Sequence, residues 1–164
     1  MQILNHLQIR QKIIRLAYEI LENNLDENEL ILVGINNNGY RFAELLTKSL
    51  TEICDKNIRL SRLKLNPANP LGEPVTIDLN DADIAGKSII LVDDVANTGR
   101  TMFYAFKVFM HVIPKKLELA VLVDRKHKQF PTLVDYVGLS LATTIQEHIK
   151  ANLRTEDQMS VILI

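Results

Sequence analysis

Residues 89–102 read IILVDDVANTGRTM, and the change of character halfway along this stretch decides the fold. Four apolar residues, Ile89 to Val92, run straight into two adjacent carboxylates, Asp93 and Asp94. A short continuous apolar run suits a strand buried on both faces. Beyond the acids, Asn97-Thr98-Gly99-Arg100-Thr101 is small and hydroxylated, and Met102, Phe106 and Phe109 then share one helical face. The pattern predicts a strand over 88–93 and a helix from about 99 to 111. The unpaired N–H groups at such a helix start favour an anion, and small residues let the backbone approach it. Two carboxylates would repel that anion if they faced nothing else. They suit a neighbour rich in hydroxyl donors or a divalent cation. A sugar phosphate offers both. The plainer alternative is an acid-ended strand followed by a Thr-Gly helix cap.

The rest of the chain repeats the alternation of strand and helix. Residues 7–24 place Ile9, Ile13, Ala17, Ile20 and Leu21 near helical spacing, with Asn5 as the cap. ELILVGI (29–35) reads as a buried strand ending at Gly34, and 40–54 returns to helical spacing through Phe42, Leu45, Leu46, Leu50 and Ile53. Strands follow at 57–65, 116–124, 134–138 and 160–164. Residues 66–86 hold three of the five prolines and two of the six glycines. A connection of that length is a functional lid or an irregular segment. This order predicts one domain over 1–164, of α/β class, with a mainly parallel central sheet flanked by helices. Ligands bind such sheets at the carboxyl ends of strands, where the loops 35–39 and 93–99 both fall.

Bulk properties narrow the function classes. With 164 residues, 47% hydrophobic and 24% charged, the chain is of ordinary globular composition. No apolar run reaches the roughly 20 residues of a membrane span, and no basic-then-apolar leader is visible, so a cytoplasmic protein is expected. Net charge is −1, which gives no global field for nucleic acid. The run Arg125-Lys126-His127-Lys128 could touch RNA or phosphate, but a solvated turn is the commoner role, and RNA is set aside as a minor partner. His6, His111, His127 and His148 show no metal-ligand spacing, and Cys54 reads as a small buried side chain. Gly34 to Gly39 mimics the start of a P-loop. Tyr40-Arg41 stands where Lys-Ser/Thr is required, which rejects an NTPase.

IILVDDVANTGRT resembles the phosphoribosyl-pyrophosphate (PRPP) signature of type I phosphoribosyltransferases: apolar strand, two acids, then T-G-x-T. IRLAYEILENN followed by LILVGINNNGYRFAELL is similar to the first helix, strand and pyrophosphate loop of the PyrR-type members. LVDRKHKQFPTLVDYVG resembles their LVDRxHxxxPxxxDYVG segment. PyrR-type proteins are pyrimidine-operon attenuation regulators and uracil phosphoribosyltransferases. The resemblance covers most of residues 5–140 and implies a type I fold with a small hood region. It implies Asp93 and Asp94 on the ribose hydroxyls as the catalytic pair, and Asn97, Thr98, Gly99, Arg100 and Thr101 around the 5′-phosphate. Asn36, Asn37, Asn38 and Gly39 would form the pyrophosphate loop, and Tyr136 and Val137 would lie in the base region. Mg2+ would be held through PRPP and water near the acids, with no direct protein ligand.

The departures from the pattern are specific. The PyrR-type loop carries a Lys or Arg where this chain has three asparagines, so Arg41 and Arg62 are the candidates for the missing charge. Asn97 stands where hypoxanthine-guanine enzymes of this fold use an Asp, and Ala142 where they place a metal-binding acid, which argues against that purine class. Leu139 replaces a PyrR-type Lys. The expected activity is Mg2+-dependent transfer of phosphoribose from PRPP to a pyrimidine base, most simply uracil, in a homodimer or larger homo-oligomer. The alternative is a weakly catalytic or non-catalytic sensor of PRPP or nucleotide that contacts RNA.

Overall fold

A computed structural model of the chain describes residues 1–144 and 146–164. Its centre is a six-stranded sheet of order β4-β3-β2-β5-β6-β7, built from β2 (Glu29–Ile35), β3 (Asn57–Lys64), β4 (Thr76–Ile77), β5 (Ser88–Ala96), β6 (Lys116–Arg125) and β7 (Tyr136–Leu141). All pairings are parallel except that of β4 with β3. Helices α1 (His6–Glu22) and α2 (Asn36–Ile53) cover one face. On the other lie α3 (Asp81–Ile84) and α4 (Arg100–Ala105), the latter continued by a 3-10 turn over Phe106–Phe109. The mainly parallel α/β architecture is therefore as expected.

The unbroken apolar runs serve two cores at once, because successive strand side chains point to opposite faces. Leu30, Leu32, Ile90 and Val92 pack with Ile9, Leu16, Phe42 and Leu46 beneath α1 and α2. Ile31, Val33, Ile89 and Leu91 pack with Met102, Ala105 and Phe109 on the opposite side. Asn5 caps α1 as anticipated: its side chain accepts from Gln8 N, while Gln8 Oε1 accepts from Asn5 N. Cys54 is only partly buried, its thiol lying against the Leu50 carbonyl.

Four of the differences from expectation have a clear physical reason. The strand β5 continues through both acids to Ala96, because pairing with β6 persists to Ala96↔Asp124 after pairing with β2 has ended at Gly34↔Val92. The second helix begins at Asn36 rather than residue 40, so the three asparagines form its first turn; Asn36 has φ of 53°. Residues 66–86 are less irregular than read: β4 pairs with Leu63 and Lys64, and α3 has its own capping box between Asn80 and Asp83. Finally, β1 (Gln2–Leu4), β8 (Ile149–Asn152) and β9 (Ser160–Leu163) form a separate antiparallel sheet of order β1-β9-β8, the hood. Only β9 was legible beforehand.

Gly34 decides how α2 leaves the sheet. A Cβ there would sit 2.2 Å from Tyr40 Cα and 2.8 Å from the Gly39 carbonyl, both backbone atoms that cannot swing aside. Gly34→Ala should therefore lower the melting temperature by several degrees, the size expected for about 2 kcal/mol of overpacking in a domain of this size. Thermal unfolding followed by circular dichroism checks this.

Candidate functional site

The chain runs from β2 outward to β3 and β4, then crosses back to β5 and continues the other way to β6 and β7. Between β2 and β5 the order reverses, and a crevice opens at their carboxyl ends. Asp93 and Asp94 stand in this crevice, just past the last β2–β5 pair. Asp93 Oδ1 accepts from Asp94 N at 2.9 Å, and Asp94 Oδ1 accepts from Val95 N at 2.9 Å. Burial, reinforced by the Asp94 charge, pushes the Asp93 carboxyl well above the usual range; burial also raises Asp94. In the ionised state the pair lacks enough positive charge or hydrogen donors among its protein neighbours.

Two segments close on the acids. From one side the start of α2 lies across β5: a Cβ on Gly39 would meet Val92 O at 2.7 Å and Asp93 Oδ1 at 3.0 Å. Only a glycine allows that approach. It brings the Asn38 side chain near Asp94, where it favours the ionised carboxyl. Asn36 is turned elsewhere, its side-chain oxygen accepting from Leu65 N at 3.0 Å, while Asn37 and Asn38 are exposed. From the other side, residues 97–101 curl into α4. Gly99 takes φ of 85°, and the Thr98 carbonyl accepts from Gln129 N and Phe130 N. A Cβ on Gly99 would lie 2.3 Å from Thr132 Oγ1. The loop and Asp93 thus line a small hollow shared by Asn97, Thr98 and Thr101. The Arg100 side chain points away from it, donating to the carbonyls of Pro67 at 2.8 Å and Ala68 at 2.9 Å.

The structure does not bring every expected residue here. Tyr136 is 2% exposed, and its hydroxyl donates to Glu118 Oε2 at 2.8 Å, a bond that with burial raises its pKa. Tyr136 and Val137 begin β7, at the amino end of the strand, whereas the crevice is at the carboxyl ends. Their assignment to a base region is corrected. A cavity of 720 Å3 does adjoin Asn97 and Thr98, walled by Arg125, Lys128, Thr143 and Thr144. Arg125 donates to Asn97 Oδ1 at 3.4 Å and to the Thr144 carbonyl at 2.6 Å. Thr143 and Thr144 end the stretch VGLSLATT (137–144), which departs from the family patterns at Leu139 and Ala142. Arg41 is corrected as well: its Nε donates to the Leu153 carbonyl, and its guanidinium meets Glu44 and Glu156. Arg62 lies 4.0 Å above the Tyr40 ring and borders a second cavity beside Asn36 and Asn37.

Comparison with known proteins agrees with this geometry. The phosphoribosyl transferase domain matches residues 1–158. The chain belongs to the phosphoribosyl transferase family. A "Bifunctional protein pyrR" of Enterococcus faecalis is 33% identical over 172 residues, covering 99% of this chain and 95% of that protein. A "Pyrimidine operon regulatory protein" of Lactococcus lactis is 34% identical over 166 residues, with the same coverage. With relatives so named, setting RNA aside on overall charge is not borne out. Among solved structures, the hypoxanthine phosphoribosyltransferase of Trypanosoma cruzi in a ternary substrates complex superposes with TM-score 0.79 at 20% identity, covering 99% of this chain and 95% of that one. A hypoxanthine-guanine phosphoribosyltransferase from Bacillus anthracis gives 0.74 at 18%, covering 98% and 96%. At these identities the similarity is one of fold. No helix of the described residues is long and apolar enough to cross a membrane.

The raised carboxyls carry a stability consequence for this phosphoribosyltransferase fold. A carboxyl whose folded pKa lies above its unfolded value destabilises the fold as pH rises through the ordinary carboxylate range. Asp93→Asn with Asp94→Asn keeps the acceptor oxygens and removes the charge. The double variant should melt higher than the parent at pH 7, and the gain should vanish below about pH 4, where both carboxyls are protonated. Calorimetric melts across pH test this.

Proposed function

We propose that the protein transfers phosphoribose from PRPP to a pyrimidine base, uracil first among them, releasing pyrophosphate. The observation that carries the reading is the set of neighbours around one acid pair: Asn38 and Gly39 on one side, the 97–101 loop on the other, and the 720 Å3 cavity beyond Asn97. Asp93 and Asp94 accept hydrogen bonds from the ribose hydroxyls, which supply the donors the pair lacks. The backbone of 97–101 and the hydroxyls of Thr98 and Thr101 hold the 5′-phosphate, and the start of α2 faces the pyrophosphate. The base occupies the cavity beside Arg125 and Lys128.

In the transfer, the bond from C1′ to the pyrophosphate oxygen breaks and its electron pair leaves with pyrophosphate. A ring nitrogen of the base bonds to C1′ and gives up its proton to water. Positive charge develops on the ribose ring, so the chain contributes position and electrostatics rather than a nucleophile. The donor set fits Mg2+: two carboxylate oxygens suit a hard cation, and no group of three or more His, Cys, Asp or Glu among the described residues could cage one without substrate. Mg2+ held by PRPP oxygens and water against Asp93 and Asp94 would neutralise part of the leaving charge. Residues 66–75, held by Arg100 through the Pro67 and Ala68 carbonyls, would close over the crevice to exclude water.

We read residues 1–164 as one unit of a cytoplasmic pyrimidine-salvage enzyme, working as a homodimer or larger assembly. The second reading, a regulator that binds RNA, is favoured by relatives named for the pyrimidine operon. Pyrophosphate release from PRPP and Mg2+ with uracil, cytosine, hypoxanthine or guanine in turn tests the assignment. Release should be greatest with uracil and fall at least about a hundredfold in Asp93→Asn with Asp94→Asn, from loss of two charge-assisted contacts. No release with any base would leave the regulator.

A further inference from the structure

The asparagines at the start of α2 bring no charge to a leaving group that carries several negative charges. The structure has cations nearby on an element that the family signature does not include. A cavity of 790 Å3 opens between α2 and the hood, walled by Asn37, Asn38 and Arg41 on one side and by Lys150 and Arg154 on the other. Along β8 and the two residues after it burial alternates: Ala151 and Leu153 are buried, while Lys150, Asn152 and Arg154 are exposed. The register Lys150↔Ile162 and Asn152↔Ser160 places Ser160 and Ile162 in the same wall. Arg41 is committed to the Leu153 carbonyl, Glu44 and Glu156, so it pins the hood segment to α2 rather than facing the cavity with a free charge. Lys150 and Arg154 meet no carboxylate within 4.0 Å among the described residues.

We propose that Lys150 and Arg154, projecting from the hood into the 790 Å3 cavity beside Asn37 and Asn38, bind the diphosphate of PRPP and supply the positive charge that the α2 asparagines lack. This rests on the phosphoribosyltransferase reading above. Asn38 is the link: it lines this cavity, and its side chain is near enough to Asp94 to favour that carboxyl's ionised form, so the cavity borders the acids. The rival cations, Arg62 and Lys64, border the 730 Å3 cavity on the β3 side. That cavity reaches Asn36 and Asn37 but not Asn38, and Asn36 there is occupied by Leu65 N. The diphosphate therefore leaves toward the hood.

The probe is inorganic pyrophosphate with Mg2+, measured by calorimetry on the full chain, alongside PRPP and uridine 5′-monophosphate. Lys150→Ala and Arg154→Ala should each weaken pyrophosphate and PRPP binding about tenfold, as loss of one charge-assisted contact does, with the double variant near a hundredfold. Binding of uridine 5′-monophosphate, which has no diphosphate, should be unchanged, and this also reports an intact fold. Lys150→Arg and Arg154→Lys should keep pyrophosphate binding near the parent value, and Asn38→Arg in the double-alanine background should restore part of it. Parent-like pyrophosphate and PRPP binding in Lys150→Ala with Arg154→Ala overturns the proposal, as does a parent that binds no pyrophosphate. If pyrophosphate binding depends on the two cations while no base supports turnover, the hood site stands and the transferase reading falls.

Discussion

Two adjacent carboxylates inside a strand of a parallel sheet are the constraint from which the rest of the site follows. Burial disfavours both charged forms, the Asp94 charge adds to this at Asp93, and both carboxyls are raised. The fold accepts this because β5 keeps its ladder with β6 to Ala96, so the backbone is held while β2 has already turned away. Turning away is what exposes the acids. Gly34 and Gly39 then let α2 start so close to β5 that an asparagine side chain comes near Asp94. A side chain at either glycine would push the helix off and separate the two halves of the crevice.

Much of this was legible in the sequence because the governing forces are local. The apolar runs at 29–35 and 89–92 read as buried strands, and Gly99 followed by helical spacing as a tight entry to a helix. Reading the acids as a strand end was wrong by three residues, since pairing on one side says nothing about pairing on the other. The asparagines were read as a loop because their propensity is for turns, whereas tertiary packing against β5 draws them into the helix. Tyr136 illustrates a different limit. Its neighbours in the chain belong to a recognisable segment, yet the side chain serves the core through Glu118 and Asn24, and only the third dimension separates the two roles.

The hood was the least legible part. Its strands are three and four residues long, below the length at which alternation stands out from chance, and its pairing joins the two ends of the chain. Lys150 on β8 and Arg154 just beyond it are therefore invisible as neighbours of α2 until that pairing is known. Within a family that shares one fold, cations on a sheet beside the crevice can differ without altering the shape of the crevice itself.

The same pairing bears on how the protein is born. Gln2 lies opposite Ile162 in the hood, a separation of 162 − 2 = 160 residues. Closing so long a loop carries a large entropic cost and delays the contact during folding. On a ribosome the strands β2 to β6 emerge before β9 exists, so the crevice with its acids and 97–101 loop forms first. The hood zips shut only once β9 is available to pair with β1. A nascent chain without β9 would accordingly retain the acid-lined crevice while losing the wall that the hood sets opposite α2.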